Sequence, residues 1–456
     1  MKRHEIDMLN GPLCPKLFTF AIPLMISSML QLAFNSVDII VVGRFAGDAS
    51  LAAVTSTGSL ASLLINVFMG LSVGTNVVVA QAIGHGDSER TGRVVHTSIL
   101  TSLVGGVILA LLGLGLSRPL LELMGSPEEV MDLSTLYLKI YFLGAPAGLA
   151  YNFGAALLRA GGDTQRPMVY LSLGGVINLV LNLITVIVFH MGVAGVAIAT
   201  VISQAVSAAL VLWCLMKEEG ALHLDWKRLA IDKSIFFNIV RVGLPAGCQG
   251  IVFSLSNVVI QSSINSFGQT MMSGNGAAAN IEGFVGIGIN AFYQANLTFT
   301  SQNYGAGKLD RVDQVFGWTM LMGTVSALLM SGLAYLFGPQ LLGIYSSNPD
   351  VIQTGMIRVI YVILPLFLNG MVDIVVGSLR GLGWSMAPMI VSVVGICGVR
   401  LAWIGTVFQL YRTPQCLYLS YPISWTITFL CHGVCFLFLR RRVRARASAY
   451  VTPATV

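Results

Sequence analysis

Residues 158–168 read Leu-Arg-Ala-Gly-Gly-Asp-Thr-Gln-Arg-Pro-Met, and residues 379–389 read Leu-Arg-Gly-Leu-Gly-Trp-Ser-Met-Ala-Pro-Met. Leu158, Arg159, Gly162, Pro167 and Met168 therefore meet Leu379, Arg380, Gly383, Pro388 and Met389 at one offset of 221 residues. The same offset carries Gln81, Gly84, Gly86 and Arg90 onto Gln302, Gly305, Gly307 and Arg311. It also carries Leu120, Leu121, Ser126 and Val130 onto Leu341, Leu342, Ser347 and Val351. Towards the start of each half the offset becomes 222, where Pro23 meets Pro245 and Asn35 meets Asn257. One match would be chance. A near-constant offset through several loops and helices is an internal duplication.

The duplicated material is built for lipid. The chain has 456 residues, 55% of them hydrophobic and only 10% charged. A water-soluble domain of this size needs more charge to cover its surface. Apolar runs of roughly 20 residues, long enough to cross a bilayer, recur along nearly the whole chain. Twelve spans are expected, at 14–43, 51–82, 93–117, 131–158, 168–190, 193–216, 235–265, 273–304, 312–336, 351–379, 387–410 and 415–439. The runs are continuous, so they are helices; barrel strands would alternate in polarity over about 10 residues. The first run is not a signal peptide: it is long, it carries Pro23 and Asp38, and no small-residue cleavage site follows it. Six spans per half is an even number, so both halves enter the membrane from one side and the repeat is parallel. The expected fold is an all-α integral membrane protein of twelve transmembrane helices, in two parallel-repeat six-helix bundles around a central cleft. Residues 1–216 form the first bundle, 217–234 a polar cytoplasmic linker, 235–439 the second bundle and 440–456 a basic cytoplasmic tail.

Basic residues set the orientation. Twenty of the 26 Lys and Arg residues fall on the side of the termini, including Lys2, Arg3, Arg90, Arg166, Lys227, Lys308 and the arginines of the run from Arg440 to Arg446. Arg44, Arg118, Lys139, Arg358 and Arg412 fall on the other side, and Arg400 inside a span. The bias places both termini in the cytoplasm. It also accounts for the net charge of +6 without nucleic acid as a partner. The C-terminal basic run reads as a stop-transfer anchor, with a lipid-headgroup or regulatory patch as the other reading. The seven cysteines are scattered and read as apolar packing; Cys431 and Cys435, one turn apart, make no metal site alone. The Gln-x-x-Gly-x-Gly segments at 81–86 and 302–307 lie where helices meet the cytoplasm and end them. They lack the pattern of a phosphate-cradling loop, since Gly307-Lys308 is followed by Leu309. With no nucleotide site, an ion gradient or the substrate itself must drive any transport.

Three groups of motifs carry a family resemblance. One is Asn35-Ser-Val-Asp38 with Gly43-Arg44 and Leu51-Ala-Ala-Val54. The second is the pair of glycine segments at Ala80–Gly86 and Ser301–Gly307, and the third is the pair quoted at the outset. Together, in order over twelve spans, they resemble the multidrug and toxic-compound extrusion (MATE) family of bacterial efflux transporters. The resemblance covers essentially the whole chain. It implies a monomer in the bacterial inner membrane that exports small organic molecules against H⁺ or Na⁺ and needs no cofactor. It also implies an N-terminal cation site and bending of the first helix.

Ionisable side chains inside spans are costly, and so are functional candidates. Three acids qualify, Asp38, Glu282 and Asp373, with Arg400 as the one base well inside. Asn178 and Asn182 are one turn apart and share a helix face. With Asp38 and with Thr200 early on the sixth span, they can meet at similar depth towards the outer side. Such a set suits a shared proton, or Na⁺ held at Asp38, Asn178 and Asn182. The resemblance implies the same site. Some relatives carry a second carboxylate where this chain has Asn182, which favours protonation of Asp38 here. Pro23 offers a kink in the first helix. Glu282, Asp373 and Arg400 are read as a substrate or second cation site. The competing reading pairs Arg400 with one acid for packing and leaves the other acid free for a cation.

The resulting expectation is a secondary antiporter exporting small, cationic amphipathic compounds by alternating access. The alternative is a flippase for lipid-linked precursors, but that would call for several basic residues in the cleft, and Arg400 is the only deep one. A membrane enzyme would need a cluster of His, Asp or Glu near an interface, and the sequence offers none.

Overall fold

The computed structural model describes residues 5–124, 126 and 128–451. Lys2, Arg3, residues 452–456 of the expected basic tail and the Arg446 side chain lie outside the described residues. Among those described, the secondary structure is helical throughout.

The chain divides into two compact units, the first Met1–Asn10 with Ile22–Cys248, the second Gly11–Ala21 with Gln249–Val456. The first unit holds α1 (Leu13–Phe45) from Ile22 onwards, then α2 (Asp48–His85) and α3 (Ser88–Leu123). There follow α4 (Glu128–Leu143), α5 (Ala145–Ala160), α6 (Gln165–Asn182) and α7 (Gly192–Lys217). The second unit holds α8 (Lys233–Asn265) from Gln249 onwards, α9 (Gln269–Gly305), α10 (Leu309–Leu336) and the short α11 (Gly338–Gly343). It continues through α12 (Pro349–Arg358), α13 (Leu366–Gly381), α14 (Met386–Ser392), α15 (Val399–Gly405), α16 (Val407–Leu410) and α17 (Pro414–Val451).

Every expected span is helical. Among the described residues, ten helices are long and apolar enough to cross a bilayer, and α4 with α5 makes an eleventh, bent by 46°. The bend falls at Gly144, a poor helix former, with Pro146 just beyond it lacking an N–H. The twelfth, α9, has 37 residues but carries Asn275, Asn280, Glu282, Gln294 and Asn296, and so is less apolar. Large apolar side chains such as Leu111, Leu329 and Val434 stand exposed, as a surface solvated by lipid tails requires.

The duplication is visible in the backbone. Three pairs of glycines at the 221 offset share a left-handed conformation: Gly47 and Gly268 (φ 85° and 91°), Gly86 and Gly307 (75° and 70°), Gly162 and Gly383 (95° and 87°). Only glycine adopts these angles without strain, which is why the loop motifs repeat. The helix start after Gly144 has its counterpart after Pro365, the residue that precedes α13.

Helices also approach through glycine within the first unit. A Cβ on Gly70 would lie 2.3 Å from the backbone nitrogen of Gly247, so α2 and the first part of α8 touch backbone to backbone. The polar segment after α7 is docked rather than free. The Asp225 N–H donates to His96 Nε2 at 3.1 Å, and the Asp232 N–H to Thr97 Oγ1 at 3.1 Å. Arg166 bridges Asp163 and Glu218 at the same end.

Candidate functional site

In each unit a polar cavity is bordered by that unit's own helices. In the first unit, a cavity of about 140 Å³ is lined by Asn35 and Asp38 of α1, Asn178 of α6, and Thr200 and Gln204 of α7. Glycines bring these helices together. A Cβ on Gly175 would lie 1.8 Å from Phe34 of α1, and one on Gly174 would lie 2.0 Å from Ser207 of α7. One turn further along, Asp38 and Asn182 are in contact. Asn182 Nδ2 donates to Asp38 Oδ1 and, at 3.2 Å, to Asn178 Oδ1. Asn178 Nδ2 donates to Thr200 Oγ1 at 3.4 Å, and Thr200 Oγ1 donates to the Val196 carbonyl at 3.0 Å. Asp38, Asn178, Asn182 and Thr200 thus form one continuous chain. Both amides are buried, and Asn182 Oδ1 has no hydrogen-bond partner among the described residues. Pro23 is buried four turns earlier on α1, where its carbonyl accepts from Ser27 Oγ at 2.8 Å.

In the second unit, a cavity of about 240 Å³ is lined by Asn257, Gln261, Asn275, Glu282, Arg358, Asn369, Arg400, Tyr421 and Trp425, among others. Here the pairing differs from the sequence expectation. Glu282 is held by Arg358, not by Arg400: Arg358 Nε and Nη2 reach Glu282 Oε2 at 3.0 and 2.7 Å. Arg358 Nη1 also donates to Asn275 Oδ1 at 2.6 Å, which accepts from the Tyr418 hydroxyl at 2.8 Å. Arg358, counted above among the residues outside the membrane, is only 8% exposed. Position 358 lies two turns into the expected span 351–379, and that depth is the signal that its charge is internal.

Arg400 is 5% exposed and has no acidic partner among the described residues. Its guanidinium carbon sits 3.9 Å from the centroid of the Tyr421 ring and 5.4 Å from that of Trp425, and Nε donates to Ser424 Oγ at 3.0 Å. Asp373 stands apart from this cavity; Asn369 Nδ2 donates to its Oδ2 at 3.1 Å. The expected trio is therefore not one cluster. Glu282 and Arg400 share a wall with Arg358, and Asp373 lies outside it.

π-helical segments adjoin the charged and amide residues. Leu183–Val188 follows Asn182, Val359–Ile363 follows Arg358, and Val393–Gly398 ends two residues before Arg400. Each wider turn shifts the helix register and re-aims the side chains beside it. No group of three or more His, Cys, Asp or Glu able to hold a metal occurs among the described residues.

Relatives share this architecture along their length. The chain is 27% identical over 420 residues to the probable multidrug resistance protein YoeA of Bacillus subtilis, covering 90% of each. It is 25% identical over 414 residues to the FAD transporter of Shewanella oneidensis, covering 88% of each. It shares the fold of a MATE crystallised in the bent conformation, with a TM-score of 0.86 at 23% identity, over 98% of both chains. The MatE family model matches residues 23–184 and again 245–404, one copy in each half. The chain belongs to the MatE family, and is accordingly a multi-pass bacterial membrane transporter, a secondary antiporter exchanging small molecules for H⁺ or Na⁺ by alternating access.

Proposed function

We propose that Asp38 is the coupling group and that the ion is the proton. The observation that carries this reading is the Asn182 amide. Its Nδ2 faces the carboxylate, while its Oδ1 is buried and unbonded. That orientation suits an ionised Asp38 and leaves a carbonyl oxygen unsatisfied, at a cost of roughly 1–3 kcal/mol. When Asp38 takes a proton, a half-turn of the amide lets Oδ1 accept from the new O–H, at the expense of the Nδ2 bond to Asn178 Oδ1, so that protonation is passed into the Asn178–Thr200 chain. A sodium ion would need several inward-facing oxygens. This site supplies a single carboxylate, and an amide N–H occupies one of its oxygens. Loss of the charge on α1 changes what that helix can pack against, and Pro23 gives it a place to bend.

In this reading the bundles 1–216 and 235–439 are the moving bodies, joined by 217–234 and followed by the basic tail 440–456. Both termini face the cytoplasm, following the Lys and Arg bias. Reporter fusions at residues 10 and 440 that both matured only outside the cytoplasm would reverse that orientation. Cationic amphipathic solutes, the class expected from buried acids, keep Asp373 as a carboxylate without an ion-pair partner among the described residues, whereas Glu282 is neutralised by Arg358.

The test is transport in proteoliposomes with H⁺ and Na⁺ gradients imposed separately, using ethidium as the probe. Exchange is expected with a proton gradient alone. Exchange driven only by Na⁺ contradicts the assignment of the ion.

A further inference from the structure

The two cavities occupy equivalent places in the two repeats. At the 222 offset, Gln31, Phe34, Asn35 and Asp38 of the first cavity correspond to Phe253, Ser256, Asn257 and Ile260 of the second. At the 221 offset, Gly148, Gly175, Thr200 and Gln204 correspond to Asn369, Ile396, Tyr421 and Trp425. Every one of these eight pairs lines its own cavity, so the second cavity is the duplicate of the coupling site.

Its charge has been reversed. Where the first cavity has Asp38, the second has Ile260. Where the first has Asn178, the equivalent position is Val399, and the residue that lines the cavity is its neighbour Arg400. The π segment Val393–Gly398 explains the one-residue change. It inserts extra register just before α15, so that 400 and not 399 turns inwards. Among the described residues Glu282 is the one acid on the cavity wall, and Arg358 takes it up with two hydrogen bonds. The formal sum over Glu282, Arg358 and Arg400 is one net positive charge.

That charge is buried and unspent. A guanidinium carries five N–H donors. In Arg400 the Nε is bound to Ser424, and Nη1 and Nη2 make no hydrogen bond to described residues. Tyr421 and Trp425 offset part of the desolvation cost through their ring faces, but a ring face does not satisfy an N–H edge. A planar donor edge bordering a cavity is complementary to two oxygens of a carboxylate or phosphate.

We infer that the second-unit cavity binds the carboxylate or phosphate group of a small organic anion at Arg400. Taken as cargo, this anion rests on the antiport reading above and adds a second substrate class to the cations assigned to Asp373, which lies outside this cavity. The rest of the molecule would lie against Phe253, Ile260, Ile264, Leu366 and Ile396. The Asn257, Gln261 and Asn369 amides border the same space and can complete the hydrogen bonds of the anionic head.

The experiment is calorimetric titration of the full chain in phosphatidylcholine nanodiscs with four probes: phenyl phosphate, benzoate, benzylamine and benzyl alcohol. Phenyl phosphate and benzoate are expected to bind about tenfold or more tightly than the amine and the alcohol. Arg400→Gln should erase that preference. Glu282→Gln, which removes the opposing charge, should tighten phenyl phosphate binding, and it reads the proposal even if Arg400→Gln fails to fold. Equal binding of the alcohol, preference for benzylamine, or weaker anion binding in Glu282→Gln would overturn the assignment. Replacing the lipid by phosphatidylglycerol separates the sources of the group: lost phenyl phosphate binding assigns the site to a lipid headgroup, and retained binding to a free solute. Titration needs no gradient, so anion binding without gradient-driven exchange would sink the antiport reading while leaving the cavity assignment standing.

Discussion

The Arg358–Glu282 pair and the Asp38–Asn182 contact place similar chemistry in different settings. Arg358 is buried and bound by both Glu282 and Asn275, so removing either charged partner leaves the other uncompensated in a medium of low dielectric. Breaking such a pair costs about 3–5 kcal/mol, whereas exchanging both members for apolar residues is often neutral. Arg358→Leu and Glu282→Leu should each lower the thermal midpoint of the protein in detergent, and the double variant should recover most of the loss. Additive losses in the double variant would show that the two residues do not act as a pair. At the other cavity, Asn182→Asp supplies a second carboxylate beside Asp38. The variant should make exchange responsive to Na⁺ in liposomes without a pH gradient; unchanged indifference to Na⁺ would mean the site lacks the oxygens a cation needs. Sequence carries part of this. Asn178 and Asn182 betray a shared face by their spacing alone, and Asp38 by its cost in lipid. The partner of Glu282 is not readable, because it depends on how α9 packs against α12, and those residues are 76 apart in the chain.

At the scale of elements, glycines and π segments set the geometry of both cavities. Gly174 and Gly175 let α6 lie against α7 and α1 at once, which brings Asn182 to Asp38. Gly175→Val forces the Phe34 ring and its helix away, at a cost of about 1–3 kcal/mol for overpacking. Transport should fall more steeply than stability, measured as ethidium efflux against melting temperature. A variant with full transport would show that α1 need not approach α6 at this point. The spans themselves are legible in sequence because lipid leaves a chain little choice: backbone groups must bond internally, so each apolar run becomes a helix. α9 is the instructive case. It is a full-length helix although its polar residues dilute the apolar run, and the repeat, pairing it with α2, is the firmer guide. The π segments leave no comparable trace. A single extra residue of register changes no hydropathy average, yet it decides that Arg400 and not Val399 lines the second cavity.

For the molecule as a whole, the duplication supplies a frame and the two copies have filled it differently. The loop glycines keep their left-handed angles in pairs, because the turn needs them in both halves. The cavities keep their positions, yet Asp38 corresponds to Ile260 in the repeat and Asp373 to Asn152, so the charges are not part of the duplicated pattern. One copy carries an acid suited to a proton, the other an excess of positive charge suited to an anion. Secondary antiport by a MatE protein needs the coupling ion and the solute to exchange through one cycle, and we propose that this ion is a proton taken up at Asp38. The most direct measurement is the pH inside proteoliposomes that hold a preformed proton gradient, followed with a trapped dye after adding ethidium or phenyl phosphate. The wild-type protein should dissipate the gradient on addition of at least one of the two, and Asp38→Asn should leave it intact. Dissipation by Asp38→Asn as fast as by the wild type would contradict the account.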